Sequence, residues 1–156
     1  MISFISRVTQ GTAGTFDISI PLSGPPGIES RIAASYLGVA SYAENIDPAC
    51  DCYYLLNGER TDANQIVGAQ AFFTFTTLTA FQVNLVTITC GGSDTLVPFA
   101  LAYADVNHDD KLQVRFNIGL PLTNNNFRDD VNANGTIDQQ DGVLVRSYKG
   151  QSLPPP

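Results

Sequence analysis

The chain has 156 residues, enough for one domain with a real core or a smaller domain carrying an appended motif. Apolar residues make up 44% and charged residues only 15%, which argues against disorder throughout and leaves Thr, Ser, Asn and Gln to supply the polar surface, as in many exported β-proteins. A net charge of −7 with eight scattered Lys and Arg disfavours a phosphate-backbone partner, so no nucleic acid is expected.

The opening MISFISRVTQ has no basic n-region and no long apolar stretch, so it does not read as a signal peptide. It fits either a mature segment or a true start. No apolar run reaches the roughly 18 residues of a transmembrane helix. GTFDISIPL at 14–22 alternates Phe16, Ile18, Ile20 and Leu22 with polar residues, which predicts a half-buried strand. SGPPG at 23–27 ends it in a turn. Between 28 and 67 the pattern is mixed, and IAASYLGVASYA fits either a short helix or a strand of small residues.

Cys50 and Cys52 stand too close for an easy mutual bridge. In an oxidising compartment one of them would pair with Cys90 and leave a free thiol; otherwise all three remain thiols. Zinc is a poor fit, because these three cysteines lack a fourth ligand and His108 sits in a separate acidic segment.

From 69 to 103, AFFTFTTLT and FQVNLVTIT are rich in Phe, Val, Ile and Thr, which suit a pleated, packed surface. In the second, Phe81, Val83 and Leu85 alternate before Val86, Ile88 and Cys90 take over. That phase change predicts a bulge or burial on both faces. CGGSD is a turn, and TLVPFALAYADV is a further strand that Pro98 places at an edge or bulge. Strands at about ten-residue spacing with Gly and Pro punctuation predict a mostly β fold, an antiparallel β-sandwich over 1–103. A loop-and-helix segment at 104–151 and a Pro-rich tail at 152–156 follow. In the segment, QQDGVLVRSYKG at 139–150 has helical spacing and a closing Gly150.

Seven of the fifteen acidic residues lie between Asp105 and Asp141. A solvated face would explain a cluster alone. The spacing of DVNANGTIDQQD at 130–141 points further. With Asp130 as position 1, Asn132 is 3, Asn134 is 5, Gly135 is 6, Thr136 is 7, Asp138 is 9 and Asp141 is 12. A hard cation such as Ca2+ takes about six to eight oxygens at about 2.3–2.6 Å, and this array supplies them in the order required. Side chains at alternate positions wrap one side, Gly permits the sharp turn, Thr136 offers a backbone carbonyl, and Asp141 closes the sphere from a helix start. Ile137 would pack inward. The competing reading is a polar loop of Asx turns without metal. NGT at 134–136 also matches a glycosylation sequon, but an Asn inside a metal loop is a poor acceptor. An earlier near-copy begins at Asp105. Asp105, Asn107 and Asp109 fit positions 1, 3 and 5 and Lys111 position 7, but Asp110 replaces Gly and Phe116 falls at 12. This second site is either degenerate or completed from elsewhere.

Two such loops, each followed by a short helix, resemble the type I dockerin module of exported bacterial proteins, with the first repeat degenerate and shortened. FRDDVNANGTIDQQDGVLVRSYKGQSLPP carries the likeness, and SRVTQGTAGTFDISIPLSGPPGIESR at 6–31 resembles the β-segment that precedes such tails. The resemblance implies an EF-hand-type calcium loop, an extracellular or cell-surface location, and a cohesin-like scaffold partner, often in polysaccharide breakdown.

Three function classes follow. The first is an exported, non-catalytic, calcium-stabilised module for protein assembly or attachment. The second is a self-assembling structural subunit of a filament or surface layer, built by β-strand addition at an edge such as 95–103. The third is an enzyme, which is not expected: there is no nucleophile elbow, no phosphate loop and no His–carboxylate pair outside the acidic segment, and nothing recommends Glu29, Glu44 or Glu59 as an acid/base pair.

Overall fold

The structure, a computed structural model, describes residues 1–102 and 108–151, apart from the side chains of 108–110. It is mostly β. Two five-stranded sheets pack as a sandwich, followed by two short helices. The strands are β1 (Ser3–Gln10), β2 (Gly14–Ile20), β3 (Gly27–Glu29), β4 (Tyr36–Ser41), β5 (Cys52–Leu56), β6 (Glu59–Asp62), β7 (Gln65–Val67), β8 (Gln70–Phe75), β9 (Gln82–Cys90) and β10 (Ser93–Leu101). One sheet runs β2-β1-β4-β8-β7 and the other β3-β10-β9-β5-β6. The ladders are antiparallel except that β3 joins β10 in parallel, a departure from the purely antiparallel expectation.

Period-two patterning builds the core. In β8, Ala71, Phe73 and Phe75 point inward while Phe72 and Thr74 do not. Phe4 of β1, Phe75 of β8 and Phe99 of β10 meet edge to face across the two sheets, with ring centroids 5.9–6.3 Å apart. Edge-to-face rings add about 0.5–1.5 kcal/mol per pair beyond their burial.

The bulge expected in β9 is not there, whereas burial on both faces holds at its end, where Ile88, Thr89 and Cys90 are all buried. The register runs unbroken from Cys52↔Cys90 to Leu56↔Val86 on one side and from Ser93↔Cys90 to Leu101↔Gln82 on the other. Asn84, Val86, Ile88 and Cys90 face the core throughout. Val83 and Leu85 belong to the outer face, and Phe81 precedes the strand and packs on Tyr148 at 5.4 Å. The register of these residues shows no slip. Nor is β10 the terminal strand. It lies between β3 and β9, but β3 covers only Phe99–Leu101, so Ser93–Pro98 is unpaired on that side and Pro98 does stand at a local edge, as expected.

Cys52 and Cys90 lie directly opposite each other in the β5–β9 pair and form a disulfide, while Cys50, before the strand, is free. Of the two bridges open from the sequence, strand register selects this one.

Helix α1 spans His108–Asn117 and α2 spans Gln139–Ser147, ending sooner than the 139–150 stretch suggests. Val114, Val131, Ile137 and Val145 form a second, small core between them.

Candidate metal centre

The 130–141 loop is held in shape by its own side chains. Asn132 Oδ1 accepts from the Asn134 N–H at 3.0 Å, and Asn134 Oδ1 accepts from the Thr136 N–H and Oγ1 at 2.8 Å. These are Asx-type turns, which explain the alternating Asn. Gly135 turns the chain at φ +99°, a conformation that penalises any Cβ. Asp138 caps α2 by accepting from the Gln140 N–H at 2.6 Å, and Asp141 Oδ2 accepts in return from the Asp138 N–H at 2.9 Å. Ile137 is buried as expected, and its carbonyl accepts from Gly119 N–H at 2.9 Å just past α1.

The two carboxylates that would open and close a coordination sphere are fully enclosed. Asp130 and Asp141 are both 0% exposed. Asp130 Oδ1 accepts from Asn134 N–H at 3.1 Å and Oδ2 from Gly135 N–H at 2.9 Å. Asp141 Oδ1 accepts from Asn132 N–H at 3.2 Å. Among the described residues, neither carboxylate forms an ion pair with Lys or Arg. Burial pushes the Asp130 carboxyl above its usual range. The Gly135 N–H pulls it back, the charge of Asp141 raises it further, and the Asn134 N–H and Asp138 have smaller opposite effects. Burial likewise raises Asp141, opposed by N–H groups of Asp138 and Asn132. Two desolvated, mutually repelling anions are costly without a cation.

Asp138 is half-buried, and Asn134 and Thr136 are exposed at the mouth of the loop. Asp130, Asn132, Asn134, Thr136, Asp138 and Asp141 thus stand in one continuous loop with oxygen donors only. That chemistry fits a hard divalent cation and not a soft one. Yet no three His, Cys, Asp or Glu side chains of the described residues converge as a metal cluster. The carboxylates point at loop N–H groups, which is how an Asx-turned loop satisfies them by itself.

The first repeat fares differently. Asp105, Asn107 and the side chain of Asp109 lie outside the described residues. Lys111, which the spacing assigns to a loop carbonyl, is already inside α1. With Asp110 where Gly should be, nothing there favours the left-handed turn, and the chain is helical from His108. Of the acidic residues weighed for catalysis, Glu29 is locked in an ion pair with Arg31 at 2.8 Å, both side chains 0% exposed, and Glu44 and Glu59 are at the surface.

The sequence reading missed the residues that join this loop to the sandwich. Gln10, at the end of β1, is 0% exposed and donates to the Asp130 side chain and to two loop carbonyls. Ile32 N–H donates to the Val131 carbonyl at 2.6 Å. Phe127 stacks on Phe16 at 5.1 Å and carries the Arg31 guanidinium 5.2 Å from its centroid. Ser6 Oγ and the Phe16 carbonyl complete the Glu29–Arg31 network. A signal was present: Phe4, Ser6, Val8 and Gln10 occupy one phase of a strand, so two polar residues sit where the core is due.

No protein-family model, no curated protein and no solved structure matches this chain.

Proposed function

We propose that this chain is a non-catalytic, calcium-stabilised module of an exported bacterial protein, mediating assembly or attachment in the manner of a dockerin. The observation that carries the reading is the pair Asp130 and Asp141, fully buried, without a cationic partner among the described residues, at the first and last positions of a twelve-residue loop with Gly at its turn. A bound Ca2+ supplies the missing positive charge. The Cys52–Cys90 disulfide supports an oxidising, extracellular or cell-surface setting. Isothermal calorimetry tests the metal: one site per chain is expected, lost in Asp130→Ala, and absence of calcium heat rejects the reading. Size-exclusion chromatography with a cohesin-type scaffold domain tests the attachment, with calcium-dependent co-elution expected.

A second reading, a self-assembling structural subunit, is favoured by one feature. Leu85 and Leu96 are 57% and 52% exposed on the outer face of β9 and β10, beside half-buried Val83 and Pro98. Strand addition along all of 95–103 does not suit the sheet order, because β3 already occupies part of that edge. Face-to-face packing suits it better. Leu85→Lys would then abolish higher-order species and leave stability within about 0.5 kcal/mol; oligomers unchanged in light scattering remove this reading.

A further inference from the structure

We propose that Gln10 is a positioning residue for the metal loop and the clasp through which metal occupancy stabilises the whole sandwich, a role that rests on the calcium reading above. Gln10 stands 120 residues before Asp130 in the chain. Its Nε2 donates to the Phe127 carbonyl at 2.8 Å, the Asp130 carbonyl at 3.1 Å and Asp130 Oδ2 at 3.1 Å. Its two N–H hydrogens are shared among these three acceptors, which fixes the orientation of the amide. Its Oε1 is buried with no hydrogen-bond partner among the described residues.

The choice of an amide has a physical reason. An Arg or Lys at this place would neutralise Asp130 and repel a cation. Gln orients the carboxylate with an uncharged N–H and leaves its negative charge for the metal. This is the arrangement by which outer partners hold metal-binding side chains.

The backbone around Gln10 interlocks with the same loop. Gly11 turns at φ +49°, and a Cβ there would collide with the Asn134 carbonyl oxygen. A Cβ on Gly135, the turn residue of the loop, would stand 2.9 Å from the Gln10 carbonyl oxygen. The end of β1 and the metal loop therefore close on each other with no room for side chains. Loosening the loop requires loosening Gln10 and Gly11; Gln10 is the last residue of β1 and pairs with Gly14 of β2, and the same strand pairs with β4 over Ser3–Arg7.

Two units that open together share whatever ligand binds either one. At free calcium 100 times the dissociation constant, linkage suppresses opening about 100-fold. The clasp predicts that this factor reaches strands far from the loop.

Native-state hydrogen exchange on the full chain reads it, with calcium set by calorimetry at about 100 times the dissociation constant. The slowest amides of β4 and β9 should gain about 100-fold protection, matching the loop. In Gln10→Leu, calcium should bind about 10- to 100-fold more weakly, as for loss of a hydrogen bond to a charged acceptor. The calcium-dependent gain in β4 and β9, at matched saturation, should collapse. A merely structural Gln10 would lower protection equally with and without calcium and leave the 100-fold increment in place, which overturns the clasp. If Gln10→Leu does not fold, the unmodified chain decides alone. Calcium heat with protection gained only at 127–147 overturns the clasp and keeps the metal site. Absence of calcium heat overturns the metal site and the clasp with it.

Discussion

The molecule has two cores of different kinds. The sandwich core is large and aromatic, with Phe4, Phe73, Phe75 and Phe99 each 0% exposed. The tail core consists of Val114, Val131, Ile137 and Val145, in a segment that also buries the carboxylates of Asp129, Asp130 and Asp141. The first has enough apolar surface to exclude water by itself. The second is far below the size at which burial alone offsets chain entropy, and it also carries buried charge. A segment like the second needs a metal, a docking surface or both. It has the docking surface in Gln10, Gly11, Phe16 and Arg31, and the donor pattern of a metal loop.

The widest test of that contrast is Phe99→Ala. It should cost about 3–5 kcal/mol, as for other buried Phe truncations, and the cost should be the same with calcium or with chelator. Urea melts under both conditions measure it. A calcium-dependent cost would mean that the sandwich core is not self-sufficient.

Reduction of Cys52–Cys90 comes next. Removing a native disulfide costs about 2–4 kcal/mol. The staple joins β5 to β9, both in the sheet that does not contain β1. Its loss should therefore leave calcium affinity unchanged. Mass spectrometry without reductant should find one alkylatable thiol, Cys50; three would contradict the bridge.

Asp141→Asn acts on the other core. If the proposed site holds calcium, at 100 times the dissociation constant the wild-type chain should gain about 2.7 kcal/mol from linkage, and the variant should lose most of it. In chelator the sign should reverse or vanish, because the neutral amide removes a buried anion. Equal melting curves for both chains in saturating calcium would reject Asp141 as a ligand.

The smallest effect is a pH dependence, and it sharpens the contrast. The folded Asp130 and Asp141 carboxyls lie above their ordinary value of 3.8. The folded state therefore holds their protons more tightly than the unfolded state. Their contribution to stability is full below 3.8 and is lost as pH rises through the raised values. In chelator the tail should thus weaken as pH increases across the acidic range, whereas calcium affinity should increase over the same range as protons leave. The difference between wild type and an Asp130→Asn, Asp141→Asn double variant isolates both trends.

Local pattern was enough for part of this. The pattern reads 14–22 as β2, 71–79 as β8, and 81–101 as β9 and β10, because strand-forming residues and turn punctuation are local, although the facing of Val83 and Leu85 in β9 was not. The helix after Gln139 and the shape of the 130–141 loop were equally legible, since Asx turns, a positive-φ Gly and a capping box are all local. β5, β6 and β7 were not legible. They are three to five residues long, and β6 is exposed throughout, so no periodicity accumulates.

By itself the sequence determined a mostly β chain with a loop of hard oxygen donors near its end, because periodicity and turn chemistry act over a few residues. Only the tertiary structure decided that Cys52 and not Cys50 meets Cys90, that β10 lies inside its sheet, and that Gln10 reaches Asp130. Each depends on which strands become neighbours. Strand pairing is set by the summed packing of both sheets, and no short stretch of sequence carries that sum.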